Sequence, residues 1–396
     1  MTGQDHNKLL EICQALIRAK SVSGKGKQEA DAAAVLKKYM VELGYDKVWV
    51  DEAGNVIGKI QGVKDGPSIL FDGHLDTVDA LDPDMWSYDP FSGQLIDNKI
   101  YGRGTSDNKG SIAAMTWGVA HLNRNEMAGN AYVSGSILEE TAEGALFEKV
   151  LEQVKPDLVI IGEASNLNLC IGQRGRAEIW VETEGVSGHA SDPKTGVNAV
   201  YKMADTIKKV YSDFQPTYHQ DLGYGIIELT EAYSLPSPSM SVIPNYCKAT
   251  YDRRLLVGET REGVIEEIEM LLEDIKIADP DYVARVLIPS FEVTTYTGYK
   301  TTVERYAPAW MYSGDGEIVT KIKDGLKEIG LTPQVTTWDW CTNGSASAGK
   351  MGIPTLGFGP GDPRKTHNVD ENIEVEELVK AAKGFLKIAE RLLSQN

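Results

Sequence analysis

Four short apolar runs in this chain each lead into residue types that bind metal ions. SILFDGHLD closes on His74 and Asp76, AYVSGSILEE on Glu139 and Glu140, and DLVIIGE on Glu163, while PTLGFGPGDPRKTH passes through a Gly/Pro turn to His367. Runs of this length and composition predict buried strands. Helical periodicity fills the gaps between them. Leu9, Leu10, Cys13, Leu16 and Ile17 share one face, an Ala-rich helix near 27–43 stops at Gly44, and residues 109–126 read as a further helix. Strands alternating with helices predict an α/β sheet with both faces covered. Sites in open sheets of that kind collect beyond the carboxyl ends of the strands, so these side chains are expected to converge. Asp107, in the Gly-rich loop GRGTSDNKG just before a helix, is a fifth contributor.

The rhythm changes near Gly172–Gly175. From there the order reads strand (AEIWVETEG), helix (196–213), two strands (IIELTEA and YCKATYDRR), helix (260–277) and strand (YVARVLI). This β-α-β-β-α-β order describes a compact unit in its own right. After about residue 300 the first style returns, with a helix over 315–329, a strand over 334–338, the strand PTLGFG and a long helix over 374–393. The expected organisation is a discontinuous α/β domain, 1–174 and 296–396, interrupted by an α+β domain over 175–295. A chain of 396 residues suits two domains.

Charge and cysteine usage narrow the function. Lysine and arginine number 40 against 58 aspartates and glutamates, a net charge of −18. That acidity argues against nucleic acid or an anionic membrane surface as the partner. No stretch approaches the roughly 20 apolar residues of a membrane span, and the N-terminus has no signal-peptide pattern. Cys13, Cys170, Cys247 and Cys341 form no CxxC pair, so they are expected to be buried free thiols in a cytoplasmic protein. A phosphate loop, GxxxxGK[ST], is absent, and the GFGPG run lacks the helix of a dinucleotide fingerprint. Two imidazoles with several carboxylates and no thiolate suit zinc, cobalt or manganese. The number of carboxylates suggests two ions, bridged by an aspartate about 3.5–4 Å apart. One carboxylate is then left over as a general base.

GHLDTV (73–78), GRGTSDNKG (102–110), LEETAEG (138–144), Glu163 in IGEAS, GHAS (188–191) and the late His367 together resemble the M20 metallopeptidase family. This is the group of acetylornithine deacetylases, succinyl-diaminopimelate desuccinylases, aminoacylases and related carboxypeptidases. The resemblance runs from about residue 7 to 393. It implies a zinc-aminopeptidase-like catalytic domain, a mixed sheet flanked by helices, with an inserted ferredoxin-like lid that also dimerises. It further implies that His74, Asp107 and Glu163 hold one zinc, that Asp107, Glu140 and His367 hold the other, and that Glu139 is the general base. Asp76 is implied to orient His74 through its carboxylate, and the Asp107–Asn108 bond to be cis. On the lid, His189 is implied to stabilise an oxyanion, often that of the partner subunit, and Asn245 to approach the substrate. Arg254 is implied to grip a substrate carboxylate. Arg253 competes for that role, because strand alternation turns the two to opposite faces. Gly344 and Ser345, in TNGSASAG, are expected to offer backbone amides to a substrate carboxylate.

The resulting expectation is a two-zinc hydrolase, with cobalt or manganese as substitutes, cleaving the amide bond of an N-acyl or N-carbamoyl amino acid as a cytoplasmic homodimer. A di- or tripeptide exopeptidase on the same scaffold is the alternative. A non-catalytic binding protein is disfavoured because every metal and base position is filled. The TNGS and GHASDP segments resemble a bacterial branch linked to selenium and purine metabolism.

Overall fold

The ligand-bearing strands are neighbours in one sheet. The structure is a computed structural model describing residues 3–394. The chain separates into two compact units. The first takes the chain up to Gln173, then Glu292–Thr301, and everything from Trp310 on; the second takes Arg174–Phe291 and Thr302–Ala309.

In the first unit, nine strands among the described residues form a mixed sheet. At its centre Lys64–His74 runs parallel to both Ala128–Ser136 and Leu158–Ile161, and Thr355–Gly357 runs parallel to Leu158–Ile161. His74 is paired with Ser136, and Asp72 with Ile161. Four adjacent parallel strands therefore end along one edge, and that edge is where the metal-ligand residues lie. Leu158–Ile161 is buried at every position, as a strand covered on both faces must be. Val56–Gln61 and Lys47–Val50 continue the sheet antiparallel.

Helix Lys109–Ala120 carries the Asp107 loop at its start. Every residue from Lys109 to Val119 is buried, the pattern of a helix enclosed on all sides. It packs against Gly3–Arg18 and Val375–Leu393. Gly118 makes the second contact possible, since a Cβ there would stand 2.4 Å from the Ala382 carbonyl oxygen. The predicted helix over 109–126 is thus shorter, ending at Ala120, with a 3-10 turn at Arg124–Glu126.

The second unit is a sheet of four main strands in the order Ile226–Leu235, Tyr246–Leu255, Gly175–Glu184, Val283–Leu287, all antiparallel. In chain order this is 2-3-1-4, the ferredoxin-like arrangement. Burial alternates strictly along most of Gly175–Glu184. Ala177, Ile179 and Val181 meet Cys247, Ala249 and Tyr251 in one core with helices Ala199–Asp213 and Arg261–Ala278. The Asn198 and Thr260 side chains cap those two helices.

Two expected boundaries change. Residues 302–309 go with the second unit, because Tyr306–Ala307 pairs with Ala177 and Arg176, and the Glu178 amide donates to the Arg305 carbonyl. Glu292–Thr301 belongs to the first, so residues 292–295 leave the inserted domain expected over 175–295; the Tyr296 hydroxyl there donates to the Gly54 carbonyl at 2.7 Å. All four cysteines are free and buried. Among the described residues no helix is long and apolar enough to cross a membrane.

Candidate metal centre

His74 is the last residue of its strand and is 1% exposed. Its Nε2 lies 2.8 Å from Asp107 Oδ1, 3.4 Å from Glu163 Oε1 and 4.0 Å from Glu139 Oε2. The other Asp107 oxygen, Oδ2, lies 3.1 Å from His367 Nε2, which is 3.2 Å from Glu140 Oε2. Asp107 thus turns one oxygen to each of two His/Glu pairs. Donor atoms of His74, Asp107 and Glu140 all fall within 4.8 Å of one another, a grouping that straddles the two pairs and reflects how closely they adjoin.

The donor set fits divalent cations. Ligands about 2.0–2.2 Å from a tetrahedral zinc stand roughly 3.3 Å apart, near the spacings found within both pairs. Every donor is oxygen or imidazole nitrogen. Asp107, Glu139, Glu140 and Glu163 are crowded and largely shielded from solvent, an arrangement that demands positive charge. Burial raises the carboxyls of Glu139, Glu163 and Glu140, the last to about 7, and neighbouring carboxylates add to the effect. Burial opposes the charged form of His74, yet hydrogen bonds to Asp107, Asp76 and Glu163 outweigh it and raise its pKa well above normal. Hydrogen bonds to Asp107 and Glu140 raise His367 to about 10. The field that pulls both imidazoles toward imidazolium is the field a dication would satisfy.

The chain holds these side chains through buried backbone bonds. Leu138 adopts φ 53, a left-handed conformation rare for leucine, and turns the chain sharply into the short helix Glu139–Ala142. Three successive amides of that turn donate to buried carboxylates. Leu138 N–H bonds Glu29 Oε1 at 2.8 Å, and Glu139 and Glu140 N–H bond the two Asp76 oxygens at 3.1 Å each. His367 also has positive φ, at 62. The Asp107–Asn108 peptide is cis.

One expectation gains a second partner and one is corrected. Asp76 does sit beside His74 Nδ1, but the nearer partner is its main-chain carbonyl, at 2.9 Å, against 3.5 Å to its carboxylate. The carboxylate, while still beside the ring, also accepts the Glu139 and Glu140 amides. The amides of Gly344 and Ser345 are not free for a substrate: they donate to Thr342 Oγ1 and Thr342 O, both at 3.0 Å. The loop's anchor is Asn343, which donates to Asp72 Oδ2 at 2.9 Å and Ser136 Oγ at 2.8 Å, and accepts from Gly144 N–H at 2.9 Å.

His189, Asn245 and Arg254 belong to the second unit. Arg253 is fully buried and bonds Glu259, Glu267 and the Arg254 carbonyl, which makes it a core residue. Arg254 lies on the opposite face, its Nε 2.6 Å from Asp252, which also accepts from Arg176. His189 Nδ1 accepts from the Ser191 amide at 3.1 Å, so the neutral ring carries its proton on Nε2. Glu29, Asn343, Arg103 and Glu371 escaped the sequence reading. They act on main-chain amides or on one another, and no residue spacing announces that.

A model of peptidase family M20/M25/M40 matches residues 70–391. The chain is 33% identical over 361 residues to YgeY of Escherichia coli (strain K12), covering 89% of this chain and 87% of that protein. It is 28% identical over 325 residues to acetylornithine deacetylase of Buchnera aphidicola subsp. Schizaphis graminum, covering 81% and 79%. Among solved structures, YXEP of Bacillus subtilis, described as a dinuclear metal binding peptidase from the M20 family, matches with a TM-score of 0.72 and 15% identity over 99% of each chain. At that identity the likeness speaks to the fold.

Proposed function

Because the chain belongs to peptidase family M20/M25/M40 and is a metal-dependent hydrolase, we propose that it cleaves the amide bond of a small N-acyl or N-carbamoyl amino acid with two zinc ions. The observation that carries this reading is the division of Asp107, with Oδ1 toward His74 and Oδ2 toward His367. His74, Asp107 and Glu163 would hold one ion and Asp107, Glu140 and His367 the other. Glu139, 4.0 Å from His74 Nε2, is left outside both sets. The similarity to an acetylornithine deacetylase favours an acylated amino acid over a peptide.

Zinc, when bound, supplies Lewis acidity at the carbonyl and lowers the pKa of water. Glu139 takes a proton from the attacking water as its oxygen bonds the carbonyl carbon. As the C–N bond breaks, Glu139 returns that proton to the leaving amine. His189, a donor through Nε2–H, stabilises the developing oxyanion, a contribution of about 3–4 kcal/mol for a well-placed group. Arg254, whose Nε and Nη2 already bond Asp252, would turn its remaining guanidinium edge to a substrate carboxylate, and Asn245 would add a further polar contact. The homodimer through the second unit is part of this reading by family kinship. The four free thiols support a reducing cytoplasm.

Amine release from a panel of N-acetyl, N-succinyl and N-carbamoyl amino acids and dipeptides, with zinc and with chelator, tests the proposal. Chelator-sensitive release from acylated or carbamoylated amino acids is expected. Release from dipeptides alone would replace it with an exopeptidase. No release from any member, with metal bound, would overturn it.

A further inference from the structure

We propose that the buried Arg103–Glu371 pair is a positioning element that sets Asp107 between the two ions and governs occupancy of the second, the one assigned to His367. The inference rests on the two-ion reading above. Glu371 is 0% exposed and Arg103 1%. Glu371 Oε1 accepts two converging amides, Ser106 N–H at 2.8 Å and Asp107 N–H at 3.0 Å. Its other oxygen accepts Arg103 Nη1 at 2.6 Å. The Glu371 carbonyl also takes the Gly102 amide at 2.9 Å. One residue therefore clasps the Asp107 loop from both its side chain and its main chain.

The same residue lies four positions beyond His367. That stretch is fastened a second time by Asp370, whose oxygens accept Ser87 N–H and Oγ–H at 2.8 and 2.7 Å. His367 needs such fastening. Its side chain is 54% exposed and no strand holds it, whereas His74 is the buried last residue of a strand. Arg103 in turn sits over the Trp86 ring at 5.1 Å, which fixes the guanidinium and, through it, the rotation of the Glu371 carboxylate.

The energetics point the same way. A buried ion pair adds little net stability, and an apolar pair of similar volume often holds a fold as well or better. An apolar pair cannot accept the two amides. What Arg103 and Glu371 add over such a pair is the placement of Asp107. Removing outer carboxylate partners of metal ligands weakens binding about 10- to 100-fold.

The test is titration of metal-free protein with Co(II), followed by its d–d absorption, for wild type, Glu371→Gln and the double variant Arg103→Met/Glu371→Leu. Wild type should take two equivalents. Both variants should bind the second equivalent about 10- to 100-fold more weakly, with an altered second-step spectrum and a smaller loss on the first, whose His74 and Glu163 the sheet also holds. The metal-free double variant should still unfold in one cooperative step, at a midpoint lowered by the two amides left without an acceptor, which separates positioning from loss of the fold. Two equivalents bound with wild-type affinity and spectrum in both variants would overturn the proposal and leave the two-ion reading standing. So would a double variant that loses both equivalents along with its fold. A single equivalent in wild type would overturn the two-ion reading itself.

Discussion

The two halves of the candidate centre are made of different material. His74 and Glu163 follow adjacent parallel strands, are 1% and 5% exposed, and owe their placement to the sheet. Glu140 stands on a four-residue helix and His367 on a loop, half exposed and at positive φ. A sheet edge holds side chains through many ladder bonds at once. A loop holds them through a few buried acceptors, here Asp76, Glu29 and Glu371. The comparison teaches that one cluster can have one half set by topology and the other by individual outer residues. Loss of a single hydrogen bond should therefore be felt on one side and hardly on the other.

Glu139 gives the largest expected effect, because it belongs to neither half. Glu139→Gln should keep both metal equivalents while kcat falls about 10²- to 10⁴-fold, the range for a lost general base. Metal analysis alongside steady-state kinetics checks this. Near-wild-type turnover with both ions bound would remove Glu139 from the mechanism. Next comes the pair His74→Ala and His367→Ala. Removing His74 takes away the imidazole that faces Asp107, Glu163 and Glu139 together, and metal content should fall to near zero. Removing His367 should leave one equivalent in the sheet-held half. Equal losses in the two variants would break the contrast between the halves.

What the sequence made legible follows the same division. His74, Glu139, Glu140 and Glu163 announce themselves because an apolar run ending in a ligand residue is a local pattern, and parallel pairing then brings the ends to one edge. The second unit was readable from period-two burial, clearest along Gly175–Glu184, and from its order of elements. Tyr306–Ala307 was not readable as part of that sheet, since a strand of two residues has no periodicity to detect. Gly344 and Ser345 looked like free amides because a sequence cannot show that Thr342 already accepts both. Glu371 and Arg103, 268 positions apart, meet only once the chain is folded. Asp76 is legible as a partner of His74, but the sequence shows neither its carbonyl, the nearer group at His74 Nδ1, nor the two amides of the Glu139 turn on its carboxylate.

That double role supplies the smallest and most discriminating effect. Asp76 touches both halves, His74 through its carbonyl and the Glu139–Glu140 turn through its side chain. Asp76→Asn is isosteric and leaves the carbonyl in place. It presents an amide NH₂ to a backbone N–H that had a carboxylate oxygen, so one amide of the turn loses its acceptor. A buried donor left in this state costs about 1–3 kcal/mol, and the turn is expected to relax away from it. The first metal equivalent should then bind as in wild type, while kcat drops about 10- to 100-fold, the scale for disturbed outer partners. If the carboxylate were instead the group that orients His74, the first equivalent would weaken together with kcat. Metal titration of Asp76→Asn beside its kinetics separates the two, and a loss confined to kcat would place Asp76 with the loop-held half of the centre.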